Sequence, residues 1–235
     1  LPGLKQECPW LKEVDSQALQ QAVINLDKSF TQFFKGHASF PKFKNKYKTR
    51  SFRNPHGKEV EIKDGKLHQP KFRKGIKIII DRPHKGEIKS TTISRTPTGR
   101  YFVSVLVETG KDNPKLKPIK DETAIGIDLG IKDLIVTSGG IKVSNPKHLQ
   151  IILHHLKYLS RQHSKKKKGS NNKKRSQLKV ALCHEKITNQ RKDFLHKLSS
   201  ELVKNHDTLC FESLQIENMV KNHKLAQAIQ GSGWG

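Results

Sequence analysis

TAIGIDLGIKDL, residues 123–134, is an apolar strand pattern with one carboxylate, Asp128, set between two glycines. Side chains alternate along a strand, so Ile125, Ile127 and Leu129 project to one face and Ala124, Gly126, Asp128 and Gly130 to the other. The first face reads as core. The second holds an acid with nothing bulky beside it, so a large group can approach closely. A phosphate with hydrated Mg²⁺ suits that description, because Mg²⁺ keeps several waters and takes one or two protein carboxylates plus substrate oxygens. The plainer alternative is an Asp that caps the turn between the first two strands of a sheet.

A second planted acid tips the balance. LCFESL, residues 209–214, is another apolar strand ending in Glu212. It lies 84 residues beyond Asp128 (212 minus 128), too far for a local pair but suited to a neighbouring strand. Asp207 is a poor substitute, since an odd step of five residues turns it to the opposite face, about 16 Å away at strand rise. Two adjacent like charges raise each other's pKa unless a cation neutralises them. A pair of Mg²⁺ ions about 3.5–4 Å apart does so, and can activate water and stabilise the leaving oxygen in phosphodiester hydrolysis. Asp128 and Glu212 are therefore the candidate catalytic and metal-binding residues.

Composition names the partner class. The 235 residues carry 46 Lys+Arg against 21 Asp+Glu, a net charge of +25, which points to a polyanion, and nucleic acid ahead of membrane. No run of about eighteen apolar residues and no secretory leader is present, so the expected location is cytoplasmic, bacterial and nucleoid-associated. Cys8, Cys183 and Cys210 are far apart without C-x-x-C spacing, which argues against a disulfide framework and against a structural zinc site in this chain. The chain opens LPGLKQECPW, has Met219 as its sole methionine and stops at GSGWG. Both ends read as cut.

Residues 15–36 place Leu19, Val23, Leu26, Phe30 and Phe33 at alternating steps of four and three, which predicts a helix with one buried face, capped at Asp15 or Ser16 and ended by Gly36. Residues 37–58 read as a basic loop in which Phe40, Phe43, Tyr47 and Phe52 interleave with Lys42, Lys44, Lys46, Lys48, Arg50 and Arg53, a pattern that can track phosphates and stack unpaired bases. Residues 59–108 read as a small antiparallel sheet or barrel. Its signals are a D-G turn, the β-branched run KGIKIIIDRP and two strands about a P-T-G turn. A linker at 109–122 leads to an α/β layer of three strands, helices on either side of SKKKKGSNNKKR (164–175), and a last strand. The lysine cluster reads as a solvated hairpin loop, with nucleic-acid contact a secondary possibility.

These stretches resemble a known family. PWLKEVDSQALQQAVINLDKSFTQFFKG, FPKFKNK, TISRTPTGRYFVS, GIDLGIKDL and FESLQIENMVKNHKLAQAI are similar, in order, to the TnpB (OrfB) proteins of bacterial insertion sequences, over essentially the whole chain. The resemblance implies an RNA-guided DNA endonuclease related to type V CRISPR effectors. Its fold would be a multi-domain α+β one, with a helical recognition region (1–58), a wedge-like antiparallel β-barrel and linker (59–120) and an incomplete RuvC-like, RNase H-fold domain (121–235). It implies Mg²⁺ as cofactor, with a guide RNA from the transposon end and a double-stranded DNA target as partners. Asp128 matches the acid of the family's first nuclease motif and Glu212 that of its second. The family's third acid and its four-Cys zinc ribbon lie beyond the Trp that Trp234 resembles, so this polypeptide by itself is expected to cut poorly or not at all.

Three rival readings make different demands. A catalytically inactive, repressor-like RNA-guided DNA binder would keep the basic surface without needing both acids. A basic RNA-binding structural protein gives no reason for either acid. A junction resolvase would need no basic N-terminal half. His154 and His155 are adjacent on a helix and face different ways, so with His184 and His196 they read as surface or packing residues. His206 and His223 are minor candidates for a phosphate contact.

Overall fold

In the computed structural model, which describes residues 1–43, 50–55, 57–83, 85–113 and 118–234, Asp15 starts the first long helix as its sequence position requires. After a short helix α1 (Pro2–Glu7), α2 runs Ser16–Phe34, and the Asp15 carboxylate accepts the Gln17 amide N–H at 3.2 Å. The expected buried face is not buried. Val23 and Leu26 are each 54% exposed, and Gln21 is the one fully buried residue of the helix. Periodicity reported an apolar stripe correctly, but among the described residues little covers it. At its end Phe40 packs edge-on against Phe30 and Phe33, with ring centroids 5.7 and 5.3 Å apart.

The chain divides into two units, Leu1–Asn113 and Pro114–Gly235. In the first unit, β1 (Ser51–Asn54), β5 (Glu87–Arg95) and β6 (Tyr101–Glu108) form one antiparallel sheet in the order β1-β5-β6. A second sheet consists of β2 (Glu61–Lys63), β3 (Lys66–Gln69) and β4 (Phe72–Lys77). Two three-stranded sheets thus stand where the sequence suggested one sheet or barrel. Part of the expected basic loop is also a strand, because Ser51 to Asn54 pair in register with Ser94 to Thr91.

The D-G turn forms as read: Asp64 and Gly65 both adopt positive φ, 52° and 68°, the conformation a two-residue hairpin turn requires. The β-branched run behaves differently. β4 ends at Lys77, opposite Lys66 where β3 begins, so residues 78–80 have no partner strand among the described residues; Ile79 is 91% exposed. In the first sheet Glu87 and Glu108 face each other across β5 and β6, a repulsive arrangement. Lys89 sits between them, and its hydrogen bonds to Glu108 and then Glu87 push its pKa up to about 12.

The second unit is a four-stranded sheet, β10-β7-β8-β9, made of β7 (Ala124–Leu129), β8 (Asp133–Thr137), β9 (Lys142–Ser144) and β10 (Thr208–Phe211). β7, β8 and β9 are antiparallel neighbours, and β10 joins β7 in parallel. Between β9 and β10 come α3 (His148–Ser164) and the 35-residue α4 (Asn171–Asn205). The basic loop is therefore 165–170, and Asn171 to Arg175 belong to the first turns of α4. Two short helices follow, α5 (Ile216–Met219) and α6 (Ala226–Ser232).

Alternation along β7 is realised as expected, with Ile125 and Ile127 buried and Asp128 exposed. Together with Leu134 and Ile135 they form a core packed by Phe194, Leu195, Leu198 and Leu202 from the C-terminal half of α4. The N-terminal half packs elsewhere: Cys183 and Ile187 of α4 meet Leu156 of α3, flanked by Ile152, Leu159 and Val180. One long helix thus serves two cores in series.

Candidate functional site

The two acids meet because β10 docks beside β7. Ile127 pairs with Phe211 in the parallel ladder, so the next residue on each strand, Asp128 and Glu212, stand side by side at the carboxyl ends. Neighbouring strands are about 4.8 Å apart, which brings two residues distant in sequence within reach of one cation. Both are exposed and line one shallow groove of about 470 Å³.

The register explains what else is there. Asp128 lies opposite Val136 on β8, and Gly126 opposite Cys210 on β10. Residues two apart share a face, so Gly126, Val136, Ser138 and Cys210 line the same groove as the acids. Ser138 is clamped to Gly126: its amide N–H donates to the Gly126 carbonyl at 2.8 Å, and its Oγ accepts the Gly126 N–H at 3.1 Å. The hydroxyl keeps its own O–H free to donate into the groove.

The two glycines flanking Asp128 have different jobs, which the sequence could not separate. A Cβ on Gly126 would meet Ser138 Cβ at 3.6 Å, an ordinary contact, so its hydrogen leaves the groove open without being demanded by packing. A Cβ on Gly130 would lie 2.5 Å from the Asp133 carbonyl oxygen. Gly130 is required by the turn into β8, and Gly126 is the residue that gives the acid its space.

Asp128 and Glu212 are carboxylates with an open approach on one side, a donor set suited to a hard cation that keeps waters and takes substrate oxygens. The Cys210 thiol beside them is soft and favours other metals. Among the described residues no group of three or more His, Cys, Asp or Glu is placed to hold a metal. Asp207 sits at the foot of β10, its N–H donating to the Thr123 carbonyl, at the other end of the strand from Glu212. Ser138 and Cys210 are groove residues that sequence reasoning missed. The signal for Cys210 was its two-residue step from Glu212, whereas nothing local marked Ser138.

Part of the basic segment lies among the described residues. Lys42 and Phe43 are exposed, Phe43 completely. Arg50 is half-buried, and its carbonyl accepts the Arg95 N–H. Arg53 is committed to the sheet, its guanidinium donating to Ser90 Oγ at 3.0 Å. Lys44, Lys46, Tyr47 and Lys48 lie outside the described residues. His154, His155, His184 and His196 are all exposed on α3 and α4. No described helix is long and apolar enough to cross a membrane.

Comparison with known proteins places the chain among relatives. A family model, OrfB_IS605, described as "Probable transposase", matches residues 104–223, a span that includes both acids. A Streptomyces pristinaespiralis protein named "Putative RNA-guided DNA endonuclease" is 38% identical over 232 residues, covering 97% of this chain and 56% of its own length. The similarly named InsQ of Escherichia coli K12 is 31% identical over 216 residues, 92% of this chain and 52% of its own. A shorter match, 62% over 40 residues, is to "Virulence protein VsdF" of Salmonella dublin, covering 16% of this chain and 34% of that one. The chain spans about half the length of the endonuclease-named relatives.

Proposed function

The chain belongs to the OrfB_IS605 family of probable transposases, and on that footing we propose that it is the part of an RNA-guided DNA endonuclease in which Asp128 and Glu212 carry phosphodiester hydrolysis. The observation that carries the reading is the register: two acids from distant segments are adjacent on parallel strands, over an open groove. The order β10-β7-β8-β9, with the last strand parallel to the first, supports assigning the second unit to the RuvC-like, RNase H class.

Bound Mg²⁺ would neutralise the acid pair, polarise the phosphate and lower the pKa of an attacking water. The protein's own contributions are positional. Asp128 is fixed by a strand whose opposite face is core, and Glu212 by its pairing one step beyond Phe211. Gly126 admits the phosphate, and the Ser138 hydroxyl donates a hydrogen bond to a non-bridging oxygen. In the reaction the water oxygen bonds to phosphorus as the bond to the leaving sugar oxygen breaks; one water proton goes to that oxygen and the other to solvent. Guide RNA and duplex DNA are the partners, with base pairing supplying target sequence and the protein reading shape.

The test is Mg²⁺-dependent, guide-dependent cleavage by the longer protein that carries this segment. Each carboxylate supplies several kcal/mol of charge stabilisation through the metal, so Asp128→Ala or Glu212→Ala is expected to lower the rate by about 10²–10³ at tenfold per 1.36 kcal/mol. Cleavage that survives either substitution would sink the assignment. Guide-dependent DNA binding with no cleavage would instead favour a repressor-like binder.

A further inference from the structure

The most concentrated charge in the described residues is not at the acids but on the hairpin that joins α3 to α4. Eight of the fifteen residues 161–175 are Lys or Arg and none is Asp or Glu. No acid occurs anywhere between Asp133 and Glu185, whereas α4 from Glu185 onward mixes Lys186, Arg191, Lys192, Lys197 and Lys204 with Glu185, Asp193 and Glu201. Charge is therefore polarised along one helix, mixed at the base and wholly positive at the tip. Like charges this dense oppose folding unless a partner neutralises them.

The tip is also an ordered platform. Lys166 N–H donates to the His163 carbonyl, Ser170 N–H to the Lys167 carbonyl, and Ser170 Oγ accepts the Lys173 N–H to cap α4. Lys173 Nζ closes the turn on the His163 carbonyl at 2.7 Å. Lys165, Lys166, Lys167 and Lys168 are left exposed on this hydrogen-bonded turn.

Topology says where the tip points. β7 and β10 both run toward the edge of the sheet that bears Asp128 and Glu212. Ser144, the last residue of β9, pairs with Asp133 at that same edge, and α3 begins four residues later. The hairpin thus leaves the sheet on the acid-bearing edge, and α4 returns to pack on the core from Phe194 onward. From Asn171 to Phe194 is about 35 Å of helix. That length equals about one turn of B-form DNA.

We propose that this hairpin tip is a rail for duplex DNA, gripping the phosphate backbone about one helical turn from the phosphate held at Asp128 and Glu212. The placement rests on the nuclease reading above, while the grip itself does not. Lysines act as rotatable point charges suited to phosphates without base readout. No Phe, Tyr or Trp occurs between Tyr158 and Phe194, so the tip lacks the stacking faces that hold single strands. The partner is a duplex, contacted without regard to sequence.

The test uses the 235-residue chain and a 25-base-pair DNA, with affinity followed against salt. Substituting Lys165, Lys166, Lys167 and Lys168 together by Gln is expected to weaken binding at least tenfold and to lower the log–log salt slope by about 2–4, at about 0.9 per lost phosphate contact. The helical circular dichroism should be unchanged, because these side chains are exposed. A matched variant, Lys186, Lys192, Lys197 and Lys204 to Gln on the mixed-charge stretch of α4, should change the slope by less than about 1. An unchanged slope in the tip variant, an equal loss in the matched variant, or a loss seen with a hairpin RNA but not with DNA would each overturn the proposal. Tip-dependent duplex binding by a protein that never cleaves would uphold the rail while removing the nuclease reading.

Discussion

The two units of the chain are held together by different means. Among the described residues, the first buries two apolar side chains, Val60 and Leu67, and five polar ones: Gln21, Asn54, Gln69, Ser90 and Thr91. The second buries eight apolar residues, from Ile125 to Ile229, against two polar ones, Thr137 and Ser232. Apolar burial contributes roughly 1.5–3 kcal/mol per large side chain, whereas a buried polar group yields little beyond its hydrogen bonds. The unit with the acids is therefore built for rigidity. The other spends its apolar surface outward, at Val23, Leu26, Phe34 and Phe43.

That contrast can be broken at several points. The largest effect should appear in native-state hydrogen exchange, where local openings range from near zero to the global stability. Amides of β7 and β8 are expected to exchange orders of magnitude more slowly than those of β2, β3 and β4. Equal protection would mean the first unit has support that its burial pattern does not show. Next comes Ile127→Ala, which empties the space beneath Asp128. It should cost about 2–5 kcal/mol in chemical denaturation, and a cost below 1 would show that the core does not stiffen the site.

A smaller effect separates the two glycines. Gly130→Ala must displace the Asp133 carbonyl and should destabilise by about 1–3 kcal/mol, while Gly126→Ala should leave stability nearly unchanged and reduce cleavage by crowding the groove. Similar melting curves with similar activity losses would erase the distinction drawn between them. Smallest is Leu26→Gln on the exposed stripe of α2, expected within about 0.5 kcal/mol of the parent. A larger loss would mean that Leu26 is covered in solution.

Legibility in the sequence followed the same divide. Around Asp128 the alternation, the second acid and the long helices were readable, because a sheet with one buried face imposes a period of two on its residues. The family resemblance rested on stretches of both units, and the chain does belong to that family. In the first unit the Asp15 cap, the D-G turn and the strands about the P-T-G turn formed as read, while other local signals misled. The stripe on α2 showed that a face was apolar, not that anything covers it. Ile78, Ile79 and Ile80 had strand propensity but no partner strand among the described residues, and propensity without pairing makes no ladder. Ser51 to Asn54 lacked any pattern and became a strand only because β5 offered an edge. The two glycines and Ser138 were beyond sequence reasoning for another reason, since what distinguishes them is which backbone atoms lie nearby.

The parallel pairing of β10 with β7 also sets when the acid pair exists. Closing a loop of 84 residues costs about 4 kcal/mol of chain entropy, and that cost falls before the contact repays it. The α3–α4 hairpin, being local, can form first and bring the ends of that loop together. On this account Glu212 reaches Asp128 late in folding, after the helices have zipped. A chain still emerging from the ribosome then holds one lone carboxylate, and the acid pair is assembled only once the last strand has docked.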